Sequence, residues 1–147
     1  TLRSRGLGDV YKRQPYKHAK DVIDPEFGNM IPSIDREFVD PIAELGPHVA
    51  PLGIAFYDGK EFPEKYHNSV FIALHGSWNR TKKSGYKVIL VKLDDSGNYL
   101  YQEDFITGWL SNEKAWGRPA APFVMSDGSL LVSDDKHNVI YKVQYKG

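Results

Sequence analysis

The chain is 147 residues long, 41% apolar and 13% aromatic, with 19 basic and 19 acidic side chains and no Cys. That composition supports a packed core and excludes a disordered chain, a disulfide framework, a thiolate zinc site and a thiol nucleophile. No run reaches the roughly 18 apolar residues of a membrane-crossing helix, so no membrane span is expected.

The balanced charge hides an asymmetry. Residues 1–20 carry six bases (Arg3, Arg5, Lys12, Arg13, Lys17, Lys20) against Asp9, leaving 13 bases and 18 acids for the rest. A basic arm on an acidic body fits a nucleic-acid or lipid-binding tail. The other reading sets residues 1–14 apart as a non-native leader: TLRSRGLGDVYKRQ has no strand or helix period and no apolar face, and it is similar to translated adapter sequence. On that reading the leader takes no part in the fold and no nucleic-acid partner is expected.

Residues 15–47 are punctuated by Pro15, Pro25, Pro32, Pro41 and Pro47 and lack periodicity, which predicts an extended surface segment. Within it Glu37–Asp40 and Ile42–Leu45 are candidates for short extended pieces. From residue 48 the texture changes to short, β-rich apolar runs. Strands are predicted over Leu52–Tyr57, Ser69–Leu74, Tyr86–Leu93, Tyr99–Thr107, Ala120–Met125, Ser129–Ser133 and Val139–Tyr145. Asp58-Gly59, Asp94–Asn98 and Asp127-Gly128 separate them, with residues that tolerate the positive φ of tight turns. The runs Val70–Leu74 and Val88–Val91 are unbroken and read as buried on both faces. Trp109 reads as core. No segment shows a 3.6-residue period, so the fold class is all-β.

The pattern repeats. PLGIAFYDG, SVFIAL and a Lys-containing third strand reappear as PAAPFVMSDG, SLLVS and VIYKV after roughly 70 residues, somewhat longer than a typical blade repeat. Repeated four-stranded meanders build β-propellers. The second copy stops after three strands, so the chain is expected to supply about two blades of a larger propeller. Its apolar faces would then need covering by blades that lie elsewhere in the same protein.

In an antiparallel meander successive turns fall at alternate ends. One end therefore gathers His48, His75, Trp78, Asn79, Arg80, Trp116, Arg118, Asp134, Lys136 and His137, while the Asp-Gly turns go to the other. Arg and Lys beside Trp and His suit a flat, polyanionic aromatic ligand, because guanidinium forks pair with carboxylates and rings stack. Lys82 and Lys83 read as a solvated loop tip, and Asp134-Asp135 as a loop-capping pair.

The ordered blocks ALHGSWNR and WGRPAAPFVMSDGSLLVSDD, with the flanking sequence from about Phe38 onward, resemble the C-terminal part of the soluble quinoprotein glucose/sorbosone dehydrogenases. That resemblance implies a six-bladed β-propeller that binds pyrroloquinoline quinone (PQQ) on one face, with calcium beside the quinone. It also implies oxidation of a sugar substrate, an external electron acceptor and a periplasmic or secreted location. Arg118 resembles a ligand of the cofactor carboxylates, and Arg80 the basic residue of the preceding blade. Trp78, His75, Trp116 and His48 are implied to shape the pocket. The family's catalytic His and calcium ligands lie in earlier blades, so no catalytic residue and no metal ligand is assigned here, and the chain alone is expected to be inactive. The alternative reading is a non-catalytic propeller whose upper face binds a protein or a glycan.

Overall fold

A computed structural model describes residues 17–19, 22–23, 25 and 40–147. The chain divides into two compact units, Thr1–Glu44 and Leu45–Gly147. In the first, β1 (Lys17–Ala19) pairs antiparallel with β2 (Val22–Ile23), a short ladder within the segment read as extended. Residues 1–14 and 37–39 lie outside the described residues.

The second unit is all-β, with one 3-10 turn at Glu64–Tyr66 and no α-helix among the described residues. Strands β3 (Pro51–Tyr57), β4 (Ser69–Leu74), β5 (Lys87–Leu93) and β6 (Tyr99–Ile106) form an antiparallel sheet in that order. A small hairpin of β7 (Leu110–Ser111) and β8 (Lys114–Ala115) follows, which the sequence reading did not include. Strands β9 (Pro119–Val124), β10 (Leu130–Asp134) and β11 (Val139–Val143) form a second antiparallel meander. All seven strands read from the sequence are present, Ser69–Leu74 with both ends as read and the others with no end shifted by more than two residues. Tyr86, read as the first residue of its strand, instead precedes β5 with φ of 57°, outside extended geometry.

The register fixes which ends of the strands meet. Pro51 and Lys87 both lie opposite Leu74, and Pro119 lies opposite Asp134. The loops after β4, before β9 and after β10 therefore emerge at one end. The core lies between the two sheets. Tyr57, Phe71, Ala73, Val88 and Leu90 of the first sheet share a cluster with Leu130 and Val132 of the second, closed by Phe62, Tyr86 and Trp109. Phe105 packs its ring 4.4 Å from Phe71. Burying one such ring stabilises the fold by about 1.5–3 kcal/mol.

Two features bring the sheets this close. A Cβ on Gly53 would fall 2.5 Å from the Ala121 Cα, so β3 can lie against β9 only because residue 53 has no side chain. Tyr57 donates its hydroxyl to the Gly128 carbonyl (3.0 Å) and accepts the Phe62 N–H (2.8 Å), stitching the sheets at the end opposite the long loops. Apolar rows remain in solvent: Leu52, Ile54 and Phe56 on one face of β3, with Ile54 69% exposed, and Phe123 and Ile140 on the second sheet. Period-two alternation places the β3 row on one face, opposite Tyr57.

Candidate functional site

The loops at the Pro51/Leu74/Asp134 end enclose an open cleft of about 630 Å³. Its walls come from the 75–86 loop of the first sheet, the β8–β9 connection and the turn after β10.

Arg118 braces the cleft. Its Nε donates to the His75 carbonyl (3.1 Å) and its Nη2 to the Gly76 carbonyl (2.9 Å), while its guanidinium carbon sits 5.6 Å from the Tyr86 ring centroid. Gly76 must be glycine here, since its φ is +102° and a Cβ would meet the Tyr86 ring at 2.5 Å. A second brace runs the same way. Asp135 accepts from His75 Nε2 at 2.8 Å and 3.0 Å, fixing the imidazole across the gap between the sheets.

Asp134 is 2% exposed and sits behind both braces. Its Oδ1 accepts the main-chain N–H groups of Arg118 (2.9 Å), Lys136 (3.1 Å) and His137 (2.9 Å), and its Oδ2 accepts the Tyr141 hydroxyl (3.3 Å). Burial pushes the Asp134 carboxyl up, but the N–H groups of Arg118 and His137, the Tyr141 hydroxyl and the Lys136 N–H outweigh it and hold it below its ordinary value. The loop-capping role read from the sequence is the geometry seen at Asp134, whereas Asp135 faces the cleft.

The structure brings three of the six pocket residues together. Arg118, His75 and Trp78 line one cleft, and Trp78 stands 87% exposed at its rim. Arg80, Trp116 and His48 lie outside that lining. Arg80 donates to Ser84 Oγ (3.3 Å) within its own loop, and the His48 carbonyl accepts from the same hydroxyl (3.3 Å). Trp116 donates Nε1 to the Gly108 carbonyl (2.7 Å) and accepts from His137 Nδ1 at its own carbonyl (2.8 Å).

Lys83, Lys114, Lys136, Glu113 and Tyr86 also line the cleft, and of these only Lys136 had been placed at this end from the sequence. Lys114 and Glu113 arrive through the β7–β8 hairpin, whose turn residues Asn112 and Glu113 have φ of 48° and 59°. The available signal was Asn112 at the first position of a two-residue turn, weakened by Glu in place of Gly at the second. Glu113 Oε2 then accepts the Lys83 N–H (2.6 Å), which turns the supposed loop tip into cleft wall. Lys136 donates Nζ to the Ala115 carbonyl. The lining thus carries Arg118, Lys83, Lys114 and Lys136 against Glu113 and Asp135, an excess of positive charge beside an exposed indole. Among the described residues no cluster of three or more His, Asp or Glu side chains is arranged to hold a metal ion.

A family model described as TrAA12-like matches residues 33–146. The chain belongs to the TrAA12-like family. A PQQ-dependent pyranose dehydrogenase of Coprinopsis cinerea is 43% identical over 53 residues, 36% of this chain and 6% of that protein. An uncharacterized protein of Borreliella burgdorferi is 42% identical over 137 residues, 90% of this chain and 35% of its own length. The holo form of the C. cinerea pyranose dehydrogenase PQQ domain superposes with a TM-score of 0.60 at 28% identity, covering 73% of this chain and 29% of that one. A calcium structure of a Trichoderma reesei carbohydrate-active enzyme of family AA12 shares the fold, with a TM-score of 0.61 at 22% identity over 83% of this chain and 29% of its own. The TrAA12-like chain therefore spans about a third or less of the length of the relatives it matches.

Proposed function

We propose that this TrAA12-like chain forms two neighbouring blades of a PQQ-dependent sugar dehydrogenase of the glucose/sorbosone type, and that its cleft is part of the cofactor pocket. The observation that carries the reading is the donor set: four cationic side chains and one exposed indole gathered at the end of the sheets where the Arg118 brace crosses between them.

PQQ is a flat aromatic tricarboxylate, and the cleft's chemistry fits it. Arg118 commits two of its N–H donors to backbone carbonyls, and a guanidinium has about five, so the remainder can pair with a carboxylate. Lys83 and Lys114 add charge to the lining, Trp78 offers a stacking face, and the Asp135 contact holds His75 in one orientation. When bound, the quinone would supply the two-electron acceptor for sugar oxidation. The chain's own residues bind and orient it. Calcium ligands, the proton acceptor and most of the sugar site would come from the rest of the parent protein, as would the blades that cover Leu52, Ile54 and Phe56.

In the full-length parent, Arg118→Ala should weaken PQQ binding about 10- to 100-fold, the loss expected for charge-assisted hydrogen bonds. Equilibrium dialysis of the apo protein against PQQ measures this, and unchanged affinity would remove the assignment.

A further inference from the structure

Asp134 occupies a position where a strand facing the core should hold an apolar residue. Along β10 the inward positions are Leu130, Val132 and Asp134, all buried, with Leu131 and Ser133 on the other face. A carboxylate there carries a desolvation cost unless donors satisfy it. Besides the Tyr141 hydroxyl, its donors are main-chain N–H groups from two segments: Arg118 at the entry to β9, and Lys136 and His137 in the turn beyond β10.

The local backbone is shaped for this side chain. The β9–β10 register shifts between Ser133 and Asp134, where Ser133 faces Ala121 and Asp134 faces Pro119. Such an irregularity re-aims a side chain. Gly117 leaves the space that the carboxylate fills, since a Cβ there would overlap Asp134 Oδ2 and Trp109 Cδ1. Trp109 forms the far wall, its Nε1 buried and without a hydrogen-bond partner among the described residues. Beyond the Pro119–Asp134 pair the β9–β10 ladder ends, and the buried Asp134 carboxylate ties the Arg118 main chain to the Asp135–Lys136 turn, beside the more exposed contacts of Lys136 Nζ with the Ala115 carbonyl and His137 Nδ1 with the Trp116 carbonyl.

We infer that Asp134 is a positioning residue: its carboxylate holds Arg118 and the Asp135–Lys136 turn in one geometry and so sets the cationic array of the cleft. The inference rests on the reading of that cleft as a PQQ pocket. Asp134 touches no ligand itself. It acts through Arg118, whose fork reaches the His75 and Gly76 carbonyls, and through Asp135, which holds His75.

The test measures PQQ affinity of the full-length apo protein by equilibrium dialysis, beside the thermal midpoint, for Asp134→Ala, Asp134→Asn, Gly117→Ala and Arg118→Ala. Asn keeps one oxygen for the three N–H groups and can donate to Tyr141, so it should bind within about threefold of wild type. Asp134→Ala loses the acceptors and Gly117→Ala displaces them, and each should raise Kd about tenfold or more at temperatures where it is fully folded. A purely structural role would lower the midpoint and leave Kd unchanged, and that result in either variant overturns the proposal. Gly117→Ala decides the matter should Asp134→Ala not fold. Arg118→Ala separates the two levels: no effect there overturns the PQQ reading, whereas a loss there with normal binding by Gly117→Ala overturns only the positioning role.

Discussion

The two ends of the paired sheets are built by different means. At the turn end the sheets close on backbone and aromatic contact: a Cβ on Gly59 would lie 2.8 Å from the Gly128 Cα, and the Tyr57 hydroxyl bridges Gly128 and Phe62. At the cleft end the sheets are joined by polar braces, with Arg118 on the His75 and Gly76 carbonyls and Asp135 on the His75 ring. The first arrangement is a close contact of backbones, and the second borders a cleft. Burial and close packing hold one end, and the other carries the fixed charges on which the proposed PQQ binding rests.

Separate ends should respond separately to mutation. The largest effect is expected from Phe71→Ala in the core, fully buried against Tyr57 and Phe105, which should cost about 3–5 kcal/mol of stability. Chemical denaturation of the full-length parent measures it, and PQQ affinity of the folded protein should not move. Gly128→Ala comes next. Its φ of +86° and a Cβ only 2.8 Å from the Glu61 N predict a cost of about 1–3 kcal/mol, again with unchanged affinity. If either variant weakened PQQ binding while fully folded, the ends would be coupled and the comparison would fail.

The sequence made the strands legible because their signals are local. Unbroken apolar runs at Val70–Leu74 and Val88–Val91 have one compact solution, buried strands bounded by Gly and Asp turns, and Phe71, Ala73, Val88 and Leu90 are all buried. The alternation of turns also sorted the loops to their ends without knowledge of any contact. The cleft itself was only half legible. Lys83 looked like a solvated tip because its place depends on Glu113, 30 residues away, and on a hairpin whose turn residues adopt positive φ without glycine. Arg80 and Arg118 were chemically equal on paper. Only the fold shows Arg118 spanning the sheets while Arg80 serves its own loop. The Asp134-Asp135 pair reads as a cap because no further oxygen-ligand cluster lies nearby in the sequence, but the burial of Asp134 at an inward strand position depends on the register shift and on Gly117, which no short motif encodes.

The smallest predicted effect compares one carboxylate from each end. Asp127, at the turn end, is held below its ordinary value by the Ser129 hydroxyl and the Lys142 ammonium, the latter 2.9 Å away in an exposed pair. Asp134, at the cleft end, is held below its own by main-chain N–H groups and the Tyr141 hydroxyl despite burial. A carboxyl lowered in the folded state contributes stability that is fully present above its unfolded value and is lost as pH falls through the folded value. Both residues should therefore steepen the acid limb of stability against pH, and neither should affect it above the ordinary carboxylate range. Salt tells them apart. Added salt screens the exposed Lys142 pair but leaves buried main-chain donors almost untouched. Denaturation across the acid range at low and high salt should show Asp134→Asn flattening the limb equally in both, and Asp127→Asn flattening it less in high salt. Equal salt sensitivity in the two variants would mean that the Asp134 carboxylate is reached by solvent, and the cleft end would then lack the buried anchor that distinguishes it.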